Sequence, residues 1–252
     1  MLPNPTLRQL QSLRLDGMAA AYAEQIEQGG LEQLTFDERL ALLVDREAVE
    51  RENRRLTYRL RRARLRVNAS IEDIDYASGR RLDKALVRQL ATCRWINAHQ
   101  NVLIVGATGT GKTFVACALA HKACLSGFSS AYYRLNRLLQ ELHIAQADGS
   151  YQKLMRRLLK TDVLVLDDLG LNPITMEDRR ELLELLDDRH GSKSTIVTSQ
   201  LPVKDWHEAI GEATLADAIL DRLVHNAHRI ELKGVSMRKR QANINDVTEQ
   251  TN

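Results

Sequence analysis

Residues Gly106–Thr113 read G-A-T-G-T-G-K-T, which fits G-x-x-x-x-G-K-[ST], and further along Val163–Asp168 read V-L-V-L-D-D. Glycines in the first run let successive backbone N–H groups turn inward as an anion nest, and the helix after it adds the positive end of its dipole. Lysine at Lys112 reaches the β- and γ-phosphates of ATP, and the Thr113 hydroxyl ligates Mg²⁺. The expected nucleotide contacts are therefore Gly106, Ala107, Thr108, Gly109, Thr110, Gly111, Lys112, Thr113 and Phe114. The second run is a buried strand ending in two carboxylates. Asp167 would orient the water shell of the magnesium ion, joining Thr113 as a metal residue, and Asp168 is placed to polarise an attacking water. Alone, V-L-V-L-D-D reads as easily as a strand entering an acidic turn; the phosphate loop beside it favours the chemical alternative.

These groups need a scaffold of strands and helices. Asn101–Val105 (N-V-L-I-V) is a short β-branched run and Phe114–Leu125 is rich in alanine, so the loop lies between strand and helix. Ser130–Arg134 reads as the second strand and Ser194–Ser199 as a later one. Asn136–Gln146, Tyr151–Leu159 and Glu177–Arg189 read as helices. Alternating strands and helices imply an α/β domain, a parallel sheet with helices on both faces, and ATP at the carboxyl ends of its strands. Ile71–Ala98 reads as a connector plus a helix bearing Leu82, Leu86, Leu90 and Trp95, covering one edge of the nucleotide site; Trp95 or Ile96 would wall the adenine or pack in the core.

The first hundred residues look wholly helical. Leu7 to Leu15 suggest a short amphipathic helix, Asp16-Gly17 a break, and Met18–Gln28 a second helix ended by Gly29-Gly30. Thr35 with Glu38 three residues on is a capping box opening a long helix through about Val67. On it Val49, Leu56, Leu60, Ala63 and Val67 form an apolar stripe. Arg51, Arg55, Arg59, Arg62 and Arg66 form a second stripe, roughly 110° round the axis at about 100° per residue.

Residues 101–252 carry 19 Lys+Arg against 19 Asp+Glu, whereas Arg51–Arg66 holds eight arginines against the single Glu52. Glu47 and Glu50 balance only the start of that row. The remainder is self-repelling, and a polyanion would relieve it: nucleic-acid phosphates are favoured over a subunit contact or a solvated face. Phosphate contacts carry no base information, so binding would be sequence-independent. Lys153, Arg156, Arg157 and Lys160 are a second basic cluster that either faces DNA or pairs with acids such as Asp162.

The chain has 252 residues, enough for one full α/β core and a smaller unit, with 44% hydrophobic and 27% charged residues. No apolar run is long enough to span a bilayer, and M-L-P-N-P-T-L-R lacks the layout of a secretory signal, so a cytoplasmic location is expected. Cys93, Cys117 and Cys124 lack C-x-x-C spacing and read as reduced thiols; His225 and His228 have no partners completing a ligand set.

G-A-T-G-T-G-K-T, V-L-V-L-D-D-L-G, T-S-Q-L-P at Thr198–Pro202 and D-R-L-V-H-N-A-H-R-I-E-L-K-G at Asp221–Gly234, in this order, resemble the IstB family. These are AAA+ helper ATPases of bacterial insertion sequences, related to the DnaC helicase loaders and the DnaA initiator. The resemblance runs from about Leu7 to Arg240. It implies an AAA+ P-loop core with a five-stranded parallel sheet between helices, over 99–240. A helical domain for DNA binding and assembly would span 1–70, the connector 71–98 and a tail 241–252. It further implies that Ser199, with Gln200, is the polar sensor of the γ-phosphate. Arg222 would be an arginine finger entering a neighbouring subunit's site, although Asp221-Arg222 read by itself is equally an intrahelical pair. Arg238 would be a second sensor, with little chain left for a lid domain. Asp168 stands where most AAA+ enzymes have Glu, so hydrolysis is expected to be slow.

The implied function is ATP-dependent homo-oligomerisation on double-stranded DNA and recruitment or activation of a partner transposase. A DnaC-like loader acting on single strands is the alternative, although the basic helix offers only Tyr58 for stacking. A non-hydrolysing nucleotide-gated scaffold is a third reading. A GTPase is disfavoured by the absence of N-K-x-D.

Overall fold

A computed structural model describes residues 4–28, 33–76, 82–234 and 236. The chain divides into two compact units, Met1–Tyr58 and Arg59–Asn252.

The first unit contains α1 (Pro5–Ser12), α2 (Asp16–Gln28) and most of α3 (Phe36–Ala63). The break between α1 and α2 falls not at Asp16-Gly17 but at Leu13–Leu15, where Arg14 adopts a left-handed backbone (φ 58). Gly17 instead lies inside α2 because α3 crosses it closely: a Cβ there would lie 2.7 Å from the Glu47 Cα and 2.8 Å from the Arg46 carbonyl oxygen. That approach lets the buried Glu47 carboxylate accept from the Gly17 and Met18 amides at 2.8 and 3.2 Å, capping α2 from a neighbouring helix. The capping box at Thr35 is present, with Glu38 accepting from the Thr35 amide at 2.7 Å and Thr35 Oγ1 from the Glu38 amide at 3.3 Å. The predicted apolar stripe on α3 does not serve as a packing face throughout, since Val49 and Val67 are exposed. Gly29 and Gly30 lie outside the described residues.

The second unit continues with α4 (Lys84–Ala91), α5 (Arg94–Asn97), β1 (Asn101–Gly106), α6 (Lys112–Leu125) and β2 (Ser130–Arg134). Next come α7 (Leu135–Ala147), α8 (Tyr151–Lys160), β3 (Val163–Leu169), α9 (Met176–Arg189) and β4 (Ser194–Ser199). The last elements are α10 (Trp206–Ile210), α11 (Ala213–Val224) and β5 (Ala227–Leu232). The strands form a parallel sheet in the order β2-β3-β4-β1-β5. Period-two alternation divides the core: Val102 and Ile104 of β1 pack with α4, α5 and α6, while Leu103 and Val105 face the helices from α7 to α11. Trp95 and Ile96 are buried in the first of these layers, with Trp95 Nε1 donating to the Leu90 carbonyl at 2.9 Å, so they serve as packing.

Candidate nucleotide-binding site

The phosphate loop joins β1 to α6 at the carboxyl edge of the sheet, where β1 lies between β4 and β5. Gly111 caps α6 with a left-handed backbone (φ 95, ψ 18) that a side chain would strain, so the helix begins with its amides turned toward the loop. Within the loop, Lys112 Nζ and Thr110 Oγ1 both donate to the Ala107 carbonyl, at 3.0 and 2.8 Å. The Lys112 side chain is buried against the loop, where a bound phosphate chain would meet it.

Thr113 Oγ1 lies 3.0 and 3.1 Å from the two carboxylate oxygens of Asp167, which is fully buried at the end of β3. A hydroxyl and a carboxylate facing each other are hard oxygen donors of the kind Mg²⁺ takes when phosphates and water complete its shell, so these residues fit that ion. Regular alternation would send Asp167 and Asp168 to opposite faces of the sheet. A bulge between Leu166 and Leu169 breaks that alternation, and Asp168 takes a left-handed backbone (φ 69). Its amide accepts support from Thr198 by donating to Oγ1 at 3.1 Å. Both carboxylates consequently come within reach of one guanidinium: Arg66 Nη1 is 3.4 Å from Asp167 Oδ2 and 3.9 Å from Asp168 Oδ2. Arg134 Nε lies 4.0 Å from Asp168 Oδ2. Burial, and then the neighbouring Asp167 charge, push the Asp168 carboxyl above the usual carboxylate range, while Arg134 and Arg66 oppose the shift.

Arg66 does not belong to the exposed row of the predicted stripe. The helix ends at Ala63, Arg64 is left-handed (φ 48), and the turn carries Arg66 into the acid pair. Nor is the rest of the row without partners. Arg51 and Arg54 meet Glu47 and Asp16 at 2.7 and 2.8 Å, Arg55 lies 3.8 Å from Glu52, and Arg59 Nε donates to the Cys124 carbonyl at 3.0 Å. Arg62 lines a groove of about 560 Å³ with Lys153, Arg156, Arg157 and Lys160, set against Glu141 and Asp148. Asp162 is taken by Lys193 at 2.6 Å, so it does not neutralise that groove.

Ser199 does not face the phosphate loop. Its hydroxyl donates to the Leu169 carbonyl at 2.7 Å and accepts from the Leu201 amide at 3.1 Å, a buried tie between β4 and β3. The residues flanking it face the site: Thr198 Oγ1 donates to Asp167 Oδ1, and Gln200 Oε1 accepts from Thr108 Oγ1 at 2.7 Å. Tyr132 of β2 also donates to Asp167, at Oδ2. Burial and that bond push the tyrosine hydroxyl well above its ordinary pKa, so it remains a donor. Tyr132 lies in no motif, and Thr198 only opens T-S-Q-L-P beside the residue expected as sensor; the strand order, with β3 between β2 and β4, brings both against Asp167.

Arg222 stands at the other end of the sheet. The Asn101 side chain at the start of β1 donates to the Arg222 and Leu223 carbonyls at 2.9 and 3.2 Å, while the loop follows the end of the same strand. β1 puts about 17 Å between them. The Arg222 guanidinium contacts Asp187 at 2.9 Å and Asp221 at 3.2 Å. Arg238 lies outside the described residues. The three cysteines are buried and free, and burial raises the Cys117 and Cys124 thiols above their ordinary pKa. Among the described residues no His, Cys, Asp and Glu cluster could hold a metal by itself, and no helix is long and apolar enough to cross a membrane.

Residues 8–244 match the family model of IstB-like ATP binding proteins. The chain is 52% identical over 241 residues to the insertion sequence ATP-binding protein y4pL of Sinorhizobium fredii, spanning 96% of this chain and 98% of that one. It is 32% identical to the insertion sequence IS21 ATP-binding protein of Pseudomonas aeruginosa, over 93% and 90% of the two chains. Two solved structures share the AAA+ fold over about two thirds of the chain. They are DnaI, with TM-score 0.58 and 22% identity over 66% of this chain and 92% of that one, and AMPPCP-bound DnaA from Aquifex aeolicus, with TM-score 0.57 and 18% identity over 69% and 53%.

Proposed function

This chain belongs to the IstB-like ATP-binding proteins, and on that premise we propose that it is a cytoplasmic ATPase that assembles on double-stranded DNA and recruits or activates a partner transposase. The observation that carries the reading is the meeting of Thr113 with Asp167 at 3.0 Å and the re-aimed Asp168 beside them. Lys112 and the loop amides would hold the β- and γ-phosphates, and Thr113 and Asp167 would hold Mg²⁺, which would supply neutralisation of the phosphate charge. Asp168 accepts the hydrogen bond of the attacking water, and Gln200, expected at the sensing position beside Ser199, shares it with Thr198 in place of Ser199. Arg222, a strand's length from its own loop, suits a role in a neighbouring subunit's site, where it would stabilise transition-state charge and make ATP a ligand of assembly.

Arg51 and Arg55 in the helical unit, Arg59 and Arg62 at the end of α3, and the basic groove beside α8 supply contacts for the phosphate backbone. The relatives' naming as insertion-sequence proteins supports the transposition context and the choice of a transposase as partner. The test is binding to duplex and single-stranded DNA of matched length with ATP, ADP or a non-hydrolysable analogue. Preference for duplex with ATP supports the reading; preference for single strands moves the function to a loader.

A further inference from the structure

Arg66 occupies a place that the phosphate-binding machinery does not by itself require. It reaches the acid pair from the turn after α3, whereas the other side chains around Asp167 come from the loop helix and the sheet. Only three residues separate it from Arg62, which lines the basic groove with Lys153, Arg156, Arg157 and Lys160. The connecting turn is held: Ala63 is fully buried and Leu65 packs on the core layer against α6. A displacement at Arg62 therefore passes along a short, anchored segment. At its far end the guanidinium is poised at a sensitive distance. Its 3.4 Å to Asp167 is long for a hydrogen bond and its 3.9 Å to Asp168 is beyond one, so a shift of about half an ångström makes or loses charge-assisted contacts.

We infer that Arg66 is a positioning residue through which a polyanion seated in the Arg62–Lys160 groove sets the rate of ATP hydrolysis, by drawing the guanidinium onto Asp168. The inference rests on the ATPase and duplex-DNA reading above. Asp168 remains the group that meets the water; Arg66 fixes the direction in which its carboxylate points. Misplacing such a group by about an ångström can cost on the order of a hundredfold in rate without weakening ground-state binding. DNA would thus act on kcat rather than on nucleotide affinity.

The experiment compares the full-length protein with Arg66→Ala and Arg66→Lys, measuring turnover at saturating ATP with and without duplex DNA, and the Kd of a fluorescent ATP analogue. In the wild type we expect duplex DNA to raise turnover. In Arg66→Ala the ratio with and without DNA falls to about one while nucleotide Kd stays within about twofold, and Arg66→Lys lies between, keeping the charge but not the forked reach. Stimulation of Arg66→Ala equal to wild type overturns the inference, as does a wild type that binds ATP and duplex yet ignores DNA in its turnover. If Arg66→Ala no longer binds nucleotide, Arg66→Lys decides: a lowered ratio supports the coupling and an unchanged ratio overturns it. A wild type that fails to bind ATP or duplex counts instead against the proposed function.

Discussion

Asp167 and Asp168 are adjacent in the chain but have different surroundings. Asp167 is buried under donors from Thr113, Tyr132 and Thr198; Asp168 is half-buried, kinked out of the strand, and faced by Arg66 and Arg134. In the proposed function the first holds the ion and the second meets the water. Asp168→Ala should therefore reduce turnover by about 10²–10⁴-fold while ATP-dependent assembly survives, measured as single-turnover hydrolysis beside complex size. Turnover unaffected by this change would contradict the role of Asp168, whereas no turnover in the wild type with assembly lost in Asp168→Ala would favour the scaffold reading. Lys112→Ala removes the phosphate contact, and loss of binding to a labelled nucleotide is the expected result. Asp162 offers a pH test away from the site. Burial opposes its ionisation, but Lys193 and the Ser129 amide and hydroxyl outweigh that and hold its pKa below the ordinary range. A depressed carboxylate stabilises the fold above its unfolded pKa near 3.9 and loses that contribution as pH falls through the lower, folded value. Asp162→Asn should cost about 1–2 kcal/mol near neutral pH in denaturant unfolding, with the difference shrinking in acid.

The strand-loop-helix unit shows what could be read from sequence and what could not. β-branched runs located β1 and β4 closely, because strands buried in a parallel sheet carry little but such residues at their centres. The end of α3 was not readable in the same way: arginines continue at helical spacing past Ala63, and only the tertiary packing of Ala63 and Leu65 forces the turn at Arg64. The stripe assignment of Arg66 failed with it. Ser199 was placed by its neighbours' motif, but alternation along β4 directs its hydroxyl to Leu169 and leaves Thr198 facing the acids. Gly17 reads as a helix break because the sequence does not show the helix that crosses it. Gly17→Ala should therefore destabilise the protein by about 1–3 kcal/mol, despite alanine's better helix propensity; a rise in Tm would contradict the close crossing. Changing Arg55, Arg59 and Arg62 together to Ala should weaken binding about equally on unrelated duplexes and flatten its salt dependence.

At the scale of the whole molecule, ATP meets one end of the sheet and Arg222 stands at the other, so hydrolysis in the proposed assembly needs two copies. Subunits carrying Arg222→Ala bind ATP but present no finger, and subunits carrying Lys112→Ala present the finger but bind no ATP. Each should be inactive alone, and their mixture should recover measurable turnover; a dead mixture would argue for Arg222 as an intrahelical pair. The family match and the AAA+ fold give this chain an ATP site; in the proposed function, assembly is the step that turns the site into an activity. The most direct measurement is the size of the particle formed on duplex DNA with ATP, with ADP and with Lys112→Ala. Growth into a multi-subunit complex with ATP alone is the predicted result, and a particle of the same size under all three conditions would contradict the account.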